Sequence, residues 1–234
     1  MALNFAAQIH SLSGFNADGT DDTETGDDFD ESAAQWMTDG AKEIINMLPQ
    51  KLKEKCMTET TITNSPSYLS DLDGIGEILH VTRLSADSGG YRVPCREVAS
   101  MYGEMTGDST NIMYHASATD PAYWITSSSD AVILNVNPTP TANQTGIVYH
   151  VGYPTFTAGG GGALDVETGT SIANFPDEAE YLVVLYAAIK ATEYMMLFEE
   201  DQEVYGPQLT TLKQDYQQGL TSIGGRGAQK GEAR

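Results

Sequence analysis

Residues 175–190 read FPDEAEYLVVLYAAIK, and the architecture turns on them. Pro176 at the first helical position, with Asp177, Glu178 and Glu180 behind it, suits a helix start, where the positive end of the peptide dipoles favours acids. The run from Leu182 to Ile189 has no polar face. A helix that is apolar all round is buried on most sides. This run is the longest apolar stretch of the chain and far shorter than the roughly 20 residues a bilayer span needs. The chain is therefore read as soluble, with no membrane partner, and the cover for this helix must be protein.

Downstream, Glu199, Glu200 and Asp201 mark the solvated end of that helix. A last helix is expected over 203–219. Tyr205, Leu209, Leu212, Tyr216 and Leu220 recur in it as one continuous stripe. Gly219, Gly224, Gly225, Gly227 and Gly231 then predict an unstructured basic tail over 221–234, carrying Arg226, Lys230 and Arg234 against Glu232 alone.

Upstream, residues 158–174 read as a glycine-rich loop around Gly159–Gly162. Before it, from about Thr58, hydrophobicity alternates with a period of two. Strands are expected at 59–63, 77–84, 91–96, 111–118, 123–126, 131–136 and 145–153, with one helical turn at 97–102. The turn chemistry between them includes Gly89-Gly90, Asp120-Pro121 and Pro138-Thr139-Pro140. Close spacing and short turns argue for antiparallel hairpins in a sandwich or small barrel over 58–157.

Residues 32–57 are helical again. Ser32 and Gln35 fit a capping box, Met37, Ala41, Ile44, Ile45 and Leu48 follow at helical spacing, and Pro49 ends one helix and opens a short second one buried through Leu52 and Cys56. Residues 1–31 hold eight acids and no lysine or arginine (Asp18, Asp21, Asp22, Glu24, Asp27, Asp28, Asp30, Glu31), and read as a mobile acidic arm. Phe5, Ile9, Leu12 and Phe15 could dock it on a neighbour. The expected fold class is thus α+β: N- and C-terminal helices (32–57 with 175–220) form a helical bundle around an inserted antiparallel β-domain.

Composition narrows function. The formal net charge is −21 over 234 residues, which repels phosphate backbones and anionic membranes and excludes ordinary nucleic-acid binding. It also suits a wall past which DNA slides without sticking. Cys56 and Cys95 are too few for a disulfide framework and are expected reduced and buried. His10, His80, His115 and His150 sit in no metal-ligand frame, and there is no phosphate loop, dinucleotide fingerprint or nucleophile elbow. No catalytic residue, metal or cofactor is expected; the chain reads as a structural subunit rather than an enzyme. Tyr91, Tyr102, Tyr114, Tyr123, Trp124, Tyr149 and Tyr153 crowd the β-domain; in an exposed row they would make a glycan platform, and otherwise a core or interface.

Three stretches carry a family resemblance: 35–45 (QWMTDGAKEII), 76–81 (GEILHV) and the opening 175–190. Together they resemble virion proteins of aquatic tailed bacteriophages. The order helices, β-insert, helices over roughly residues 33–220 also resembles head-to-tail adaptors, including the tail tubular A type. That resemblance implies a ring, commonly of about twelve subunits, seated beneath the portal protein in the virion neck. Such a ring extends the DNA channel and presents a lower face to a stopper or tail nozzle protein, and is assembled after synthesis in the host cytoplasm. Adaptors of this type often insert a C-terminal tail into the portal; the matching residues here are Ile223, Arg226, Lys230 and Arg234. The stripes supply the expected subunit interface: Leu182, Leu185, Ile189, Tyr205, Leu209, Leu212, Tyr216 and Leu220. Another virion part, a stopper or tail terminator, fits the same layout.

Overall fold

The computed structural model describes residues 3–14, 26–64, 67–68, 75–85, 90–128, 131–159, 163–198 and 202–228. The chain divides into two compact units: Met1–Cys56 with Tyr153–Arg234, and Met57–Gly152.

The first unit is helical and built around α4 (Asp177–Phe198). Its acidic first turn is as the sequence implies, and Glu180 reaches back to accept the Ile172 amide at 2.7 Å. Ala179, Val183, Leu185, Ala187, Ala188 and Ala191 are completely buried. Cover comes from α1 (Phe5–Ser13), α2 (Gly26–Met47) and α5 (Gln202–Ala228), each of which packs on α4.

Helix α1 corrects the expectation of a mobile arm. Phe5 and Ile9 are buried, at helical spacing with half-buried Leu12; Phe15 lies outside the described residues. The orphan amides of the first turn are all taken. Phe5 donates to the Gly169 carbonyl at 3.0 Å, Ala6 to Val166 at 2.9 Å, and Ala7 to the Asn4 side chain at 2.8 Å. Asn4 also donates to the Glu167 carbonyl. So residues 163–174, expected to be loose, are in fact a built element: Val166, Ile172 and Asp165 are buried and Gly169 closes on Asp165. Nine residues of helix are marginal alone; this one is held by its cap and its two buried side chains.

Helix α2 begins at Gly26, not Ser32, so the capping box is not formed; Gln35 donates instead to Asp39 one turn on. Buried Thr38 donates to Ala34 and accepts the Phe156 amide, tying the chain's return from the β-unit to α2. Pro49 caps the short α3 (Gln50–Lys53), which buries none of its side chains; Cys56 behind it is buried. Helix α5 runs to Ala228, well past the expected stop. Each glycine in a helix interior costs about 1 kcal/mol relative to alanine, but the buried side chains of Tyr216 and Ile223 outweigh this, and Gly219 lies against Leu182. Ile223 is therefore on a packed helix and not in a loose tail.

The second unit holds two four-stranded sheets. One has the order β1 (Met57–Ile62), β8 (Gly146–Gly152), β3 (Ile75–Leu84), β4 (Arg92–Pro94), all antiparallel. The other has β2 (Ser67–Tyr68), β7 (Ala131–Asn137), β6 (Ala122–Ser128), β5 (Arg96–Glu97), antiparallel except for the β5–β6 pair, which is parallel. Neither sheet closes into a barrel. Residues of both build one apolar cluster, with Ile62, Val81 and Val148 from the first and Tyr123, Leu134 and Val136 from the second. Residues 111–118 are not a strand. The Asn111 carboxamide accepts the amides of Met113 and Tyr114, which diverts the backbone into turns. The helical turn expected at 97–102 is a 3₁₀ helix displaced to Ser100–Gly107.

Two predictions follow from the packing of α4. Truncating Ile9 to alanine removes a fully buried side chain and is expected to cost about 2–5 kcal/mol in urea unfolding, whereas Leu3→Ala, at an exposed position, leaves the midpoint unchanged; equal and negligible effects would mean α1 is not docked. At Gly40 of α2, an added Cβ would stand 2.8–3.0 Å from the Tyr186 ring and Cβ. Gly40→Val is accordingly expected to lower stability by about 1–3 kcal/mol despite its better helix propensity, read as a drop in thermal midpoint.

Candidate assembly surfaces

The helix α4 run is internal. Leu182, Leu185 and Ile189 are all buried against helices of their own unit. On α5, Leu212 and Tyr216 are buried as well, and Tyr205, Leu209 and Leu220 are half-buried. These residues were expected to face a neighbouring subunit because two helical segments could not hide them. The count of covers was short by α1. The Tyr216 hydroxyl donates to Glu43 Oε1 at 3.2 Å, and burial together with that carboxylate pushes the phenol's pKa up. Tyr186 and Tyr216 meet with centroids 6.0 Å apart, and Lys190 lies over the Tyr186 ring. Glu193, bonded to Lys190 at 3.0 Å and Lys213 at 2.9 Å, closes the same α4–α5 seam; the two ammonium groups hold its carboxyl below the usual range against the opposing effect of burial.

Of the residues matched to portal contact, Ile223 is buried in this unit, Arg226 lies on the last turn of α5, and Lys230 and Arg234 lie outside the described residues. Ile223 instead lines an apolar cleft of about 80 Å³ between α2 and α5, with Ile44, Met47, Leu48 and Leu220. Met47 stands at its rim, half exposed.

The β-unit carries a second apolar surface that the sequence reading missed. Between β5 and β6 the chain runs out through the 3₁₀ helix and a set of turns, and Met101, Met105, Ile112 and Met113 all face solvent; Met113 is 76% exposed and Ile112 fully so. This apex is braced from beneath. Tyr102 and Tyr114 stack at 4.5 Å with their planes 11° apart, over a small cluster of Val98, Ala116 and Ala122. Arg96 donates to the carbonyls of Tyr114 and His115 and pairs with Asp120 at 3.1 Å. Thr106 is held between Gly103 and Asn137. Gly103 lets the Trp124 indole come so close that a Cβ there would lie 2.4 Å from its nitrogen. The signal that could have found the apex is compositional: 109–118 contains five apolar residues and no acid, lysine or arginine in a chain of net charge −21.

Among the described residues, several aromatics of the β-unit are taken up in packing. Tyr123 is buried, with its hydroxyl donating to Glu97 and its pKa pushed up to about 12, mainly by burial. Tyr149 stacks on His80 at 4.1 Å. Tyr153 belongs to the helical unit and donates to Asn46 at 2.8 Å. The histidines are equally occupied with structure. His150 is completely buried between Thr60, 3.0 Å from Nε2, and the Val151 carbonyl, 3.2 Å from Nδ1. A carbonyl only accepts, so Nδ1 carries a proton, and Nε2 shares a hydrogen bond with the Thr60 hydroxyl. His115 lies in the turns of the apex rather than in a strand. Among the described residues no group of three or more His, Cys, Asp or Glu could hold a metal ion, and no helix is long and apolar enough to cross a membrane. Cys56 and Cys95 are buried free thiols.

Comparison with known proteins agrees with the phage resemblance. No curated protein matches the chain. A family model described as SU10 adaptor protein matches residues 15–234, nearly the whole sequence. The chain therefore belongs to the SU10 adaptor protein family and is a structural adaptor of a bacteriophage virion.

Proposed function

We propose that this protein is the repeating subunit of a ring in the virion neck, seated under the portal, that joins head to tail and extends the DNA channel. The family match over residues 15–234 carries this reading. Its helical unit reads as a bundle and its β-unit as a sandwich, the two parts such a subunit needs. The charge supports the channel role. A surface of −21 overall gives passing DNA nothing to lodge on.

The residues from Arg226 onward carry Arg226, Lys230 and Arg234 against Glu232 alone, in a chain that is acidic overall. They are proposed to enter the portal, where an ordered fit offsets the entropy of a chain end. Ile223 is no longer part of that contact, since its own unit buries it. Copies meet side to side in a heterologous contact that closes into a ring.

Light scattering with size exclusion is expected to show a ring, either from the chain alone or on mixing with portal protein; a monomer indifferent to portal would count against the proposal. Removing residues 229–234 should leave the melting temperature unchanged and weaken portal docking by about tenfold or more, with the loss growing as salt is lowered. Equal docking by the shortened chain would remove the tail from the contact. Retention of duplex DNA by the ring at physiological salt would sink the channel reading.

A further inference from the structure

Met101, Met105 and Met113 are three of the chain's nine methionines and fall within thirteen residues of one another. All three stand in solvent at the apex, Met101 75% exposed, Met113 76% and Met105 42%. Met37, by contrast, is completely enclosed in the helical unit. A thioether is a soft, uncharged nucleophile, so its oxidation is decided by whether an oxidant can reach the sulfur. The native thiols do not compete. Cys56 and Cys95 are buried, and burial pushes them up to about 11 and about 12, which leaves almost no thiolate at neutral pH.

The apex can be altered at these sulfurs without being undone. It is held by other groups: the Tyr102–Tyr114 stack, Arg96 on the carbonyls of Tyr114 and His115, and the Asn137 carboxamide on Thr106. An oxygen added to an outward-facing sulfur meets water, which bonds to it. The same oxygen on Met37 would put a polar atom among buried apolar side chains, which costs stability. Three of the four exposed apolar side chains at the apex are methionine, so their oxidation leaves Ile112 as the one apolar group of the four.

We propose that the apex is a peroxide-sensitive modification site, where Met101 and Met113 first, and Met105 after them, become sulfoxides and turn an apolar surface polar while the fold stays intact. In each step a sulfur lone pair attacks one oxygen of hydrogen peroxide and the O–O bond breaks. Sulfur gives up two electrons and gains an S–O bond. The departing hydroxide takes the proton of the transferred hydroxyl and leaves as water. Peroxide is uncharged, so the exposed acids Glu104 and Asp108 do not repel it. A methionine sulfoxide reductase, drawing two electrons from thiols, reverses the step, which makes the surface switchable. The site belongs to the single chain and needs no ring.

The test treats the full-length chain with dilute hydrogen peroxide and maps its peptides by mass over time. Sulfoxide is expected at Met101 and Met113 at least about tenfold faster than at Met37. At that stage the thermal midpoint is unchanged, and the protein leaves a hydrophobic-interaction column earlier. A triple variant, Met101→Leu with Met105→Leu and Met113→Leu, keeps the apolar surface without the sulfur. It should elute like untreated wild type and shift far less after peroxide. Equal rates at Met37 and the apex, or slower reaction at the apex than at half-buried Met57, would overturn the proposal. So would a midpoint that falls as the apex reacts, or a triple variant whose elution shifts as far as the wild type's.

Discussion

The structure depends on one constraint: the run Leu182–Ile189 of α4 has no polar face to turn to water. An ordinary surface helix needs a partner on one side. This one needs cover all round, and the helical unit supplies it from three directions with α1, α2 and α5. The consequences reach far along the sequence. Helix α1 comes from before the β-unit and from the opposite end of the sequence to α5, yet Gln208 of α5 donates to the Leu12 carbonyl at 2.6 Å. Glu43 of α2 and Tyr216 of α5 share a hydrogen bond above the same helix. Residues 57–152 can be inserted into this unit because the segments on either side are already fixed to α4, and the Thr38–Phe156 bond secures the point of return.

What the sequence could reveal follows from how locally each feature is encoded. The apolar run 182–189, the stripe of α5 and most of the alternating strands are written in consecutive residues and are found where the pattern puts them, though 91–96 is divided between β4 and β5. The features that were missed depend on distant partners. Helix α1 has only Phe5, Ile9 and Leu12 to announce it, and its cap is completed by carbonyls of Val166 and Gly169. The extension of α5 to Ala228 overrides its glycines because Ile223 finds the α2 side of the cleft. The loss of the expected strand at 111–118 hinges on one carboxamide, that of Asn111, capturing two amides that a strand would have used. None of these is visible in propensity or period.

The same logic bears on the apolar stripes of α4 and α5. With α1 unseen, α4 and α5 seemed to carry more apolar area than a single subunit could cover, and their stripes were assigned to the neighbour. With α1 in place, Leu182, Leu185 and Ile189 are satisfied within the chain. Exposed apolar residues of this chain lie elsewhere, at Met101, Met105, Ile112 and Met113 of the β-unit. Met101, Met105, Ile112 and Met113 sit on a braced turn and the cleft is a shallow notch, so an isolated subunit can fold and persist before it meets its partners.

That separation suits an adaptor. A subunit whose core were its interface would be insoluble until assembled, and assembly would be inseparable from folding. Here the apolar run of α4 is covered within its own unit, and a charge of −21 makes copies repel one another in solution. Association is then weak for any single pair. It becomes strong only when many copies are held at once on a template, where each contact is made at high effective concentration. For the proposed ring, this balance favours closure where a template holds many copies at once over association of free pairs.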